Sequence, residues 1–197
     1  MNTLKAEKRS MDVKAKKLRR EGYVVGNVFG REIEGSIPVK MPRGEVEKFL
    51  KVDGKGSQIM LDIEGTQYDV LIKDIAYNPI AGGIDEIDFQ ALVSNEMVHS
   101  TAEIILENEE KVMSGVLQDE LKEVAYKALP ADLVDKIKVD VAGMKIGDTL
   151  RVKDLEIAKN KNIHITTDPE AVVATVTPVH NVVPETETEA EETAEEK

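Results

Sequence analysis

The spacing of apolar side chains predicts strands much more often than helices in the first half of the chain. Apolar and polar positions alternate over 58–63, 67–75 and 84–93, and the composition of 23–29 and 32–39 is β-like. Thr3 to Arg9 is a candidate first strand. Glu64-Gly65 separates two of these runs, which is typical of a two-residue hairpin turn. Two short helices are predicted, over 12–21 with Asp12 as N-cap and over 45–51. This half is therefore predicted to be mainly β.

The second half has the same character. Candidate strands cover 98–106, 116–126, 137–141 and 172–179. A seam near Ser94-Asn95 divides the chain into predicted domains at 1–93 and 94–180. From residue 181 onward Glu, Thr and Ala dominate, and such a segment buries too little apolar surface to offset its ordering entropy. We therefore expect residues 181–197 to be a disordered acidic tail.

Charge is distributed unevenly along the 197 residues. The net charge is −12, which by itself argues against a nucleic-acid partner. The first domain is neutral, however, and the second domain and the tail carry −6 each. Residues 1–20 hold eight basic and two acidic side chains. A basic end on an acidic chain is a reason to expect a nucleic-acid contact at that end.

Motifs for enzyme chemistry are missing from the sequence. There is no cysteine, and the three histidines are far apart in sequence, which excludes thiol chemistry and predicts no metal site. No phosphate-binding glycine loop or metalloprotease pattern occurs. We expect no enzymatic activity, no cofactor and no small-molecule substrate. No stretch is long and apolar enough to span a bilayer or to act as a secretory signal, so we expect a cytoplasmic protein without a membrane partner.

The basic segment 14–20 has two interpretations. It is a solvated surface helix, as most charge runs are, or its side chains bind the phosphates of an RNA. A neutral β domain beneath the helix suits the second interpretation, because it provides a rigid support.

A series of motifs resembles one protein family. In order they are LRREG (18–22), VLIKDI (70–75), Asn78-Pro79, IDF (87–89), ALPADL (128–133), KIKVDV (136–141) and KIGDTLRVKDL (145–155). Together they are similar to the bacterial 5S-rRNA-binding ribosomal protein L25 family in its long two-domain form, which includes the Ctc general stress protein. The resemblance extends over about residues 3–180.

The resemblance implies a β-barrel-like N-terminal domain with short helices, followed by an all-β C-terminal domain. It also implies that the N-terminal domain binds 5S rRNA in the large ribosomal subunit. The acidic charge of the C-terminal domain leaves two alternatives, a basic partner such as a neighbouring ribosomal protein or a role in solubility alone. Residues that match the family's RNA-binding segments are Arg9, Lys14, Lys16, Lys17, Arg19, Arg20 and Asp88, and Phe29 is a further candidate RNA-binding residue on the sheet face.

Three positions depart from the family pattern. Phe29 replaces a tyrosine, Ala76 replaces a glutamine, and Glu86 replaces a histidine. Phe29 stacks but donates no hydrogen bond, and Glu86 brings negative charge toward the expected RNA. The alternative hypothesis is therefore a divergent, stress-related relative that has lost tight 5S rRNA binding and serves as a protein-interaction module.

Overall fold

Six strands of the N-terminal half close into a barrel. The computed structural model describes residues 2–80, 82–112 and 115–178. The barrel strands are β1 (Thr3–Lys8), β2 (Tyr23–Phe29), β3 (Ser36–Pro42), β4 (Gln58–Ile63), β5 (Thr66–Asn78) and β6 (Gly83–Ala91). Their spatial order is β1-β3-β2-β6-β5-β4, and β4 pairs with β1 to complete the ring. The pairs β1/β4 and β2/β6 are parallel, and the other pairs are antiparallel.

Alternating side chains fill the inside of this barrel. On β4, Ile59, Leu61 and Ile63 are buried, while the residues between them are half-buried. The core is aliphatic apart from Phe89 and Met41. Each fully buried side chain of this kind stabilises the fold by roughly 1.5–3 kcal/mol. The barrel is therefore a rigid support for whatever lies on its outer surface.

The predicted hairpin turn is confirmed. Glu64 and Gly65 both have positive φ angles, of 51° and 92°. Ile63 and Thr66 face each other as the last pair of β4 and β5. Two successive positive φ angles match the twist of the flanking strands, and glycine adopts such an angle at no steric cost.

Two helices accompany the barrel, α1 (Ala15–Arg20) and α2 (Arg43–Phe49). The predicted start of α1 at Asp12 is wrong. The Asp12 carboxylate accepts a hydrogen bond from the Ser10 hydroxyl at 3.0 Å, and Lys14 precedes the helix with an extended backbone. Asp12 thus stabilises the turn before the helix instead of capping it. No helix within the described ranges is long and apolar enough to cross a membrane.

The second domain consists of two sheets around one core. Its strands are β7 (Val98–Glu107), β8 (Val116–Asp119), β9 (Glu123–Ala128), β10 (Lys136–Asp140), β11 (Thr149–Arg151), β12 (His164–Ile165) and β13 (Val172–Thr177). One sheet has the order β10-β7-β9-β12 and the other β11-β13-β8. Tyr126 is fully buried between them, and its hydroxyl both donates to and accepts from the backbone of Val134. The predicted fold class, a mainly β chain with an N-terminal barrel and a second β domain, is confirmed.

Two predicted strand bounds are wrong. The single strand expected over 116–126 is two strands in different sheets, because the chain crosses between the sheets at residues 120–122 and the amides of Glu120 and Leu121 both donate to Val173. The strand expected over 32–39 begins only at Ser36, because Gly35 with φ of 81° ends a turn there. Alternation of residue types continues through the break at Gly35 and does not reveal it, whereas residues 118–123 hold one apolar residue, Leu121, and do not alternate.

The two domains contact each other through polar side chains and one glycine. Lys55 Nζ lies 3.0 Å from the Glu123 carboxylate, and Lys73 Nζ donates to the His99 carbonyl at 2.6 Å. Gly56 approaches the Thr101 carbonyl so closely that a Cβ atom would lie 2.0 Å from the oxygen.

Strand β6 ends at Ala91 and β7 begins at Val98, and the boundary at 93/94 stays a prediction. The predicted acidic tail, 181–197, lies outside the described residues.

Candidate nucleic-acid interface

The outward face of α1 carries exposed cationic side chains. The helix buries a single leucine and contacts β2. Lys14, Lys16 and Arg20 are exposed, and within the described ranges their side chains form no ion pair or hydrogen bond. Lys17 lies 3.8 Å from the Glu21 carboxylate one turn further on. Such an exposed pair contributes only about 0.3–0.5 kcal/mol, so all four cations are available to an anionic partner.

Arg9 has an internal role. Its Nη2 donates to the Val13 carbonyl at 3.0 Å, and its backbone amide donates to the Pro38 carbonyl at 2.9 Å. The side chain is half-buried, and its Nε is buried without a partner in the part of the chain that the structure describes. Arg9 therefore braces the segment that leads into α1, and little of its charge faces outward.

Arg19 also points toward the protein. Its Nε donates to the Asp85 carbonyl at 3.0 Å and lies 3.9 Å from the Asp85 carboxylate. Its Nη2 lies 3.5 Å from the Glu86 carboxylate. The Arg19 side chain is only 28% exposed. These contacts join the last turn of α1 to β6, so the charge run predicted for RNA binding splits into an outward set and an inward residue.

The sheet face beside α1 is formed by β2 and β6. These strands run parallel, and Asn27 lies opposite Asp88 in the register. The Asn27 amide nitrogen lies 3.4 Å from the Glu86 carboxylate and 3.5 Å from that of Asp88, within hydrogen-bonding reach of both. A single amide thus links two carboxylates on neighbouring positions of this face.

A third carboxylate continues this face onto β5. Asp74 lies opposite Asp88 in the antiparallel pair β5/β6, and Ala76 lies opposite Glu86. Like charges on opposing positions repel, and each of the two aspartates has a compensating contact. Asp74 lies 3.8 Å from Lys55 Nζ, and Asp88 is contacted by Asn27. The face therefore offers a row of hydrogen-bond acceptors next to a cationic helix.

Phe29 ends β2 on the same side as Asn27. It is half-buried, and its register partners are Ser36 on β3 and Gln90 on β6. Because side chains two positions apart on a strand point the same way, Phe29 extends the Asn27 face by roughly 6.6 Å. The structure thus brings Phe29, Asp88 and Arg19 to one side of the barrel, with the exposed lysines on the helix next to them.

A further cation on the neighbouring strand is held by the protein itself. Lys40 on β3 lies 2.9 Å from the Glu7 carboxylate, and its Nζ stands 5.0 Å from the centroid of the Tyr23 ring. The hydrogen bond to Glu7 is the main cause of a raised Lys40 pKa, which burial opposes. Lys40 stays charged at neutral pH, and it already has an anionic partner.

Two long-range contacts of this site were not predicted from the sequence. Asn27 contacts Glu86 across 59 residues, and Arg19 contacts Asp85 across 66. No local pattern carries such a pairing, because it depends on the parallel register of β2 and β6. Within the described ranges, no group of three or more His, Asp or Glu side chains is placed to hold a metal ion.

Comparison with known proteins identifies both domains. The Ribosomal L25p family matches residues 4–89, which cover the barrel and the face described above. The C-terminal domain of ribosomal protein TL5 matches residues 97–180.

Similar full-length proteins carry a single name. A Large ribosomal subunit protein bL25 from Bacillus velezensis is 35% identical over 90% of this chain and 89% of its own length. A protein of that name from Caldanaerobacter subterraneus is 30% identical over 98% of both chains, and one from Moorella thermoacetica is 30% identical over 91% of this chain and 86% of its own. The chain therefore belongs to the ribosomal L25p family, in the two-domain form that carries a TL5-type C-terminal domain.

Proposed function

We propose that this chain is a structural component of the large ribosomal subunit and that it binds 5S rRNA through its N-terminal domain. The observation that carries the proposal is the outward face of α1, where Lys14, Lys16, Lys17 and Arg20 are exposed beside an open sheet face. The names of the relatives, as large ribosomal subunit proteins, support the same conclusion.

In this proposal the helix and the sheet have different tasks. The α1 cations bind phosphates, which fixes position and supplies most of the salt-dependent affinity. The sheet face around Phe29 and Asp88 contacts the groove, where a ring stacks and a carboxylate accepts hydrogen bonds from hydroxyl or amino groups. Because the barrel core is rigid, the α1 cations and the side chains of the sheet face keep a fixed distance from each other. An irregular RNA helix has to match this distance.

The chain is not an enzyme, since the L25p family consists of structural ribosomal proteins. This agrees with the lack of catalytic motifs in the sequence.

The C-terminal domain has a different partner in this proposal. Residues 94–180 carry a net charge of −6, which disfavours a broad contact with RNA. We assign to this domain contacts with neighbouring basic ribosomal proteins, and we place the whole assembly in the cytoplasm.

The test is binding of the full chain to a 5S rRNA helix fragment over a series of salt concentrations. We expect measurable affinity at low salt and a linear fall of the logarithm of the binding constant with the logarithm of salt. A slope of about 0.7 to 0.9 per phosphate gives the number of contacts. No binding at low salt would overturn the proposal. An equal affinity for an unrelated RNA duplex would also overturn it.

The acidic row on the sheet face favours a second candidate function. Asp74, Glu86 and Asp88 present carboxylates where the first proposal places RNA. A relative with this face that no longer binds RNA tightly would serve as a protein-interaction module, and failure of the RNA titration together with capture of other ribosomal proteins would support it.

A further inference from the structure

We propose that Glu86 is an internal counter-ion of Arg19 that occupies the place of an RNA phosphate, and that it thereby sets the strength of RNA binding. This inference rests on the proposed function. It concerns a residue at which the chain departs from its family, and it assigns that residue a role other than simple repulsion of RNA.

The contacts of Arg19 divide its guanidinium into a fixed part and a replaceable part. The Nε atom donates to the Asp85 backbone carbonyl at 3.0 Å, a bond whose acceptor no substitution at position 85 or 86 removes. The Nη2 atom faces the Glu86 carboxylate at 3.5 Å. Because a guanidinium presents its donors in a rigid fork, the Nη2 donor that faces Glu86 is directed away from a phosphate while this ion pair holds.

Glu86 is held in position from its other side as well. Its second carboxylate oxygen lies 3.4 Å from the Asn27 amide nitrogen, so the carboxylate stands between helix α1 and strand β2. The Glu86 side chain is 38% exposed. It is thus ordered enough to compete for Arg19 and accessible enough for an incoming phosphate to displace it.

Two consequences follow for RNA binding. In the native chain Arg19 contributes little to affinity, because binding a phosphate means giving up an ion pair of the same kind. With a neutral residue at position 86, Nη2 gains a free donor near the exposed cations of α1. Affinity then rises by about tenfold, the value of one charge-assisted hydrogen bond, and the salt slope steepens by about 0.7 to 0.9, the value of one phosphate.

The experiment compares four full-length proteins in the 5S rRNA titration: native, Glu86→Gln, Arg19→Gln and the double variant. Glu86→Gln is expected to bind more tightly with a steeper slope, and Arg19→Gln alone to change affinity less than threefold. The double variant is expected to return to the salt slope of the native chain, because the steeper slope of Glu86→Gln depends on Arg19. Glu107→Gln is the matched control, since Glu107 pairs with Lys138 at 2.7 Å in the second domain and the variant changes net charge equally.

A measurement without RNA tests the ion pair by itself. Glu86→Gln is expected to accelerate amide hydrogen exchange in α1, whereas Glu107→Gln leaves it unchanged. The inference is overturned if Glu86→Gln and Glu107→Gln raise affinity equally, if the gain survives in the double variant, or if exchange in α1 does not respond. Absence of RNA binding in all of the proteins would instead overturn the proposed function.

Discussion

Ala76 lies directly opposite Glu86 on the antiparallel strands β5 and β6. Two of the three positions at which the resemblance leads us to expect another residue are therefore neighbours on the proposed RNA face, beside Asn27 and Asp88. Side chains at opposing positions stand about 4.5–5.5 Å apart, so a substitution at one position changes the surroundings of the other. Ala76 and Glu86 are therefore best substituted together in one variant.

Restoring both family residues is expected to strengthen RNA binding. Ala76→Gln adds a donor and an acceptor, and Glu86→His removes a negative charge, so the double variant should bind a 5S rRNA fragment at least tenfold more tightly. Fluorescence anisotropy at constant salt measures the change. Ala76→Gln alone should have a smaller effect, since Glu86 still pairs with Arg19. If the double variant binds no better than the native chain, the interface differs at more positions than these two.

Removing outward charge from α1 is expected to weaken binding uniformly. The variant Lys16→Gln with Arg20→Gln should reduce the salt slope by about 1.4 to 1.8, the value of two phosphates, without loss of thermal stability. Lys159→Gln with Lys161→Gln is the matched control, because both lysines are exposed in the second domain. Equal losses in the two variants would indicate a nonspecific charge effect and would contradict the assignment to α1.

Gly56 is expected to be essential for the docking of the two domains. It has a φ of 86°, and a Cβ atom would lie 2.0 Å from the Thr101 carbonyl oxygen, so Gly56→Ala has to displace the strand of the other domain. Backbone strain of this kind costs about 1–3 kcal/mol before the clash is counted. Calorimetry should show a lower melting temperature. Gly54→Ala, where a Cβ meets nothing within 4 Å, should be close to neutral. Similar melting temperatures for the two variants would argue against close docking.

Asp135 is expected to make stability depend on pH. Burial raises the pKa of its carboxyl, nearby Asp53 adds to this, and a hydrogen bond from Ser57 opposes it. A carboxyl with a raised folded-state pKa keeps its proton longer in the folded protein than in the unfolded chain. The contribution of Asp135 to the free energy of unfolding therefore falls as the pH rises from the pKa of the unfolded chain, about 3.9, through the pKa of the folded protein.

Asp135→Asn should consequently raise the melting temperature at neutral pH and lose this advantage in acid. Asp140 has the opposite effect on the pH dependence of stability, because a hydrogen bond from the Ala142 amide and one from Asn108 lower its pKa. Asp140→Asn should lower the melting temperature at neutral pH. If Asp135→Asn destabilises the protein at every pH, the Ser57 contact outweighs the cost of burial.

Local features of the fold were predictable, and long-range ones were not. Strand β4 and the turn at Glu64-Gly65 depend on neighbouring residues alone, so alternation and turn chemistry predict them. The closed barrel came from the family resemblance, because the parallel pairing of β2 with β6 joins residues about 60 positions apart. Asp12 does not cap the helix because the backbone is still extended at Lys14 and the helix begins only at Ala15, a start that residue type alone does not predict.

The candidate site also combines features that the local sequence predicts with features that it does not. The sequence correctly places a basic segment at the N-terminus, but a count of charges does not say which way a side chain points. Arg9 and Arg19 turn inward to backbone carbonyls, whereas Lys16 and Arg20 stay exposed. This difference depends on how the helix lies on the barrel. RNA binding by Arg19 and by the exposed cations stays a prediction, and the contacts of Arg19 show only that its guanidinium already has partners within the protein.

Co-sedimentation of the full chain with large ribosomal subunits, prepared with and without 5S rRNA, tests the central claim most directly. The chain should pellet with complete subunits at low salt, remain in the supernatant with subunits that lack 5S rRNA, and be released at high salt. The Lys16→Gln, Arg20→Gln variant should be released at lower salt than the native chain. Equal pelleting with both kinds of subunit, or none with either, would contradict 5S rRNA as the partner of this protein.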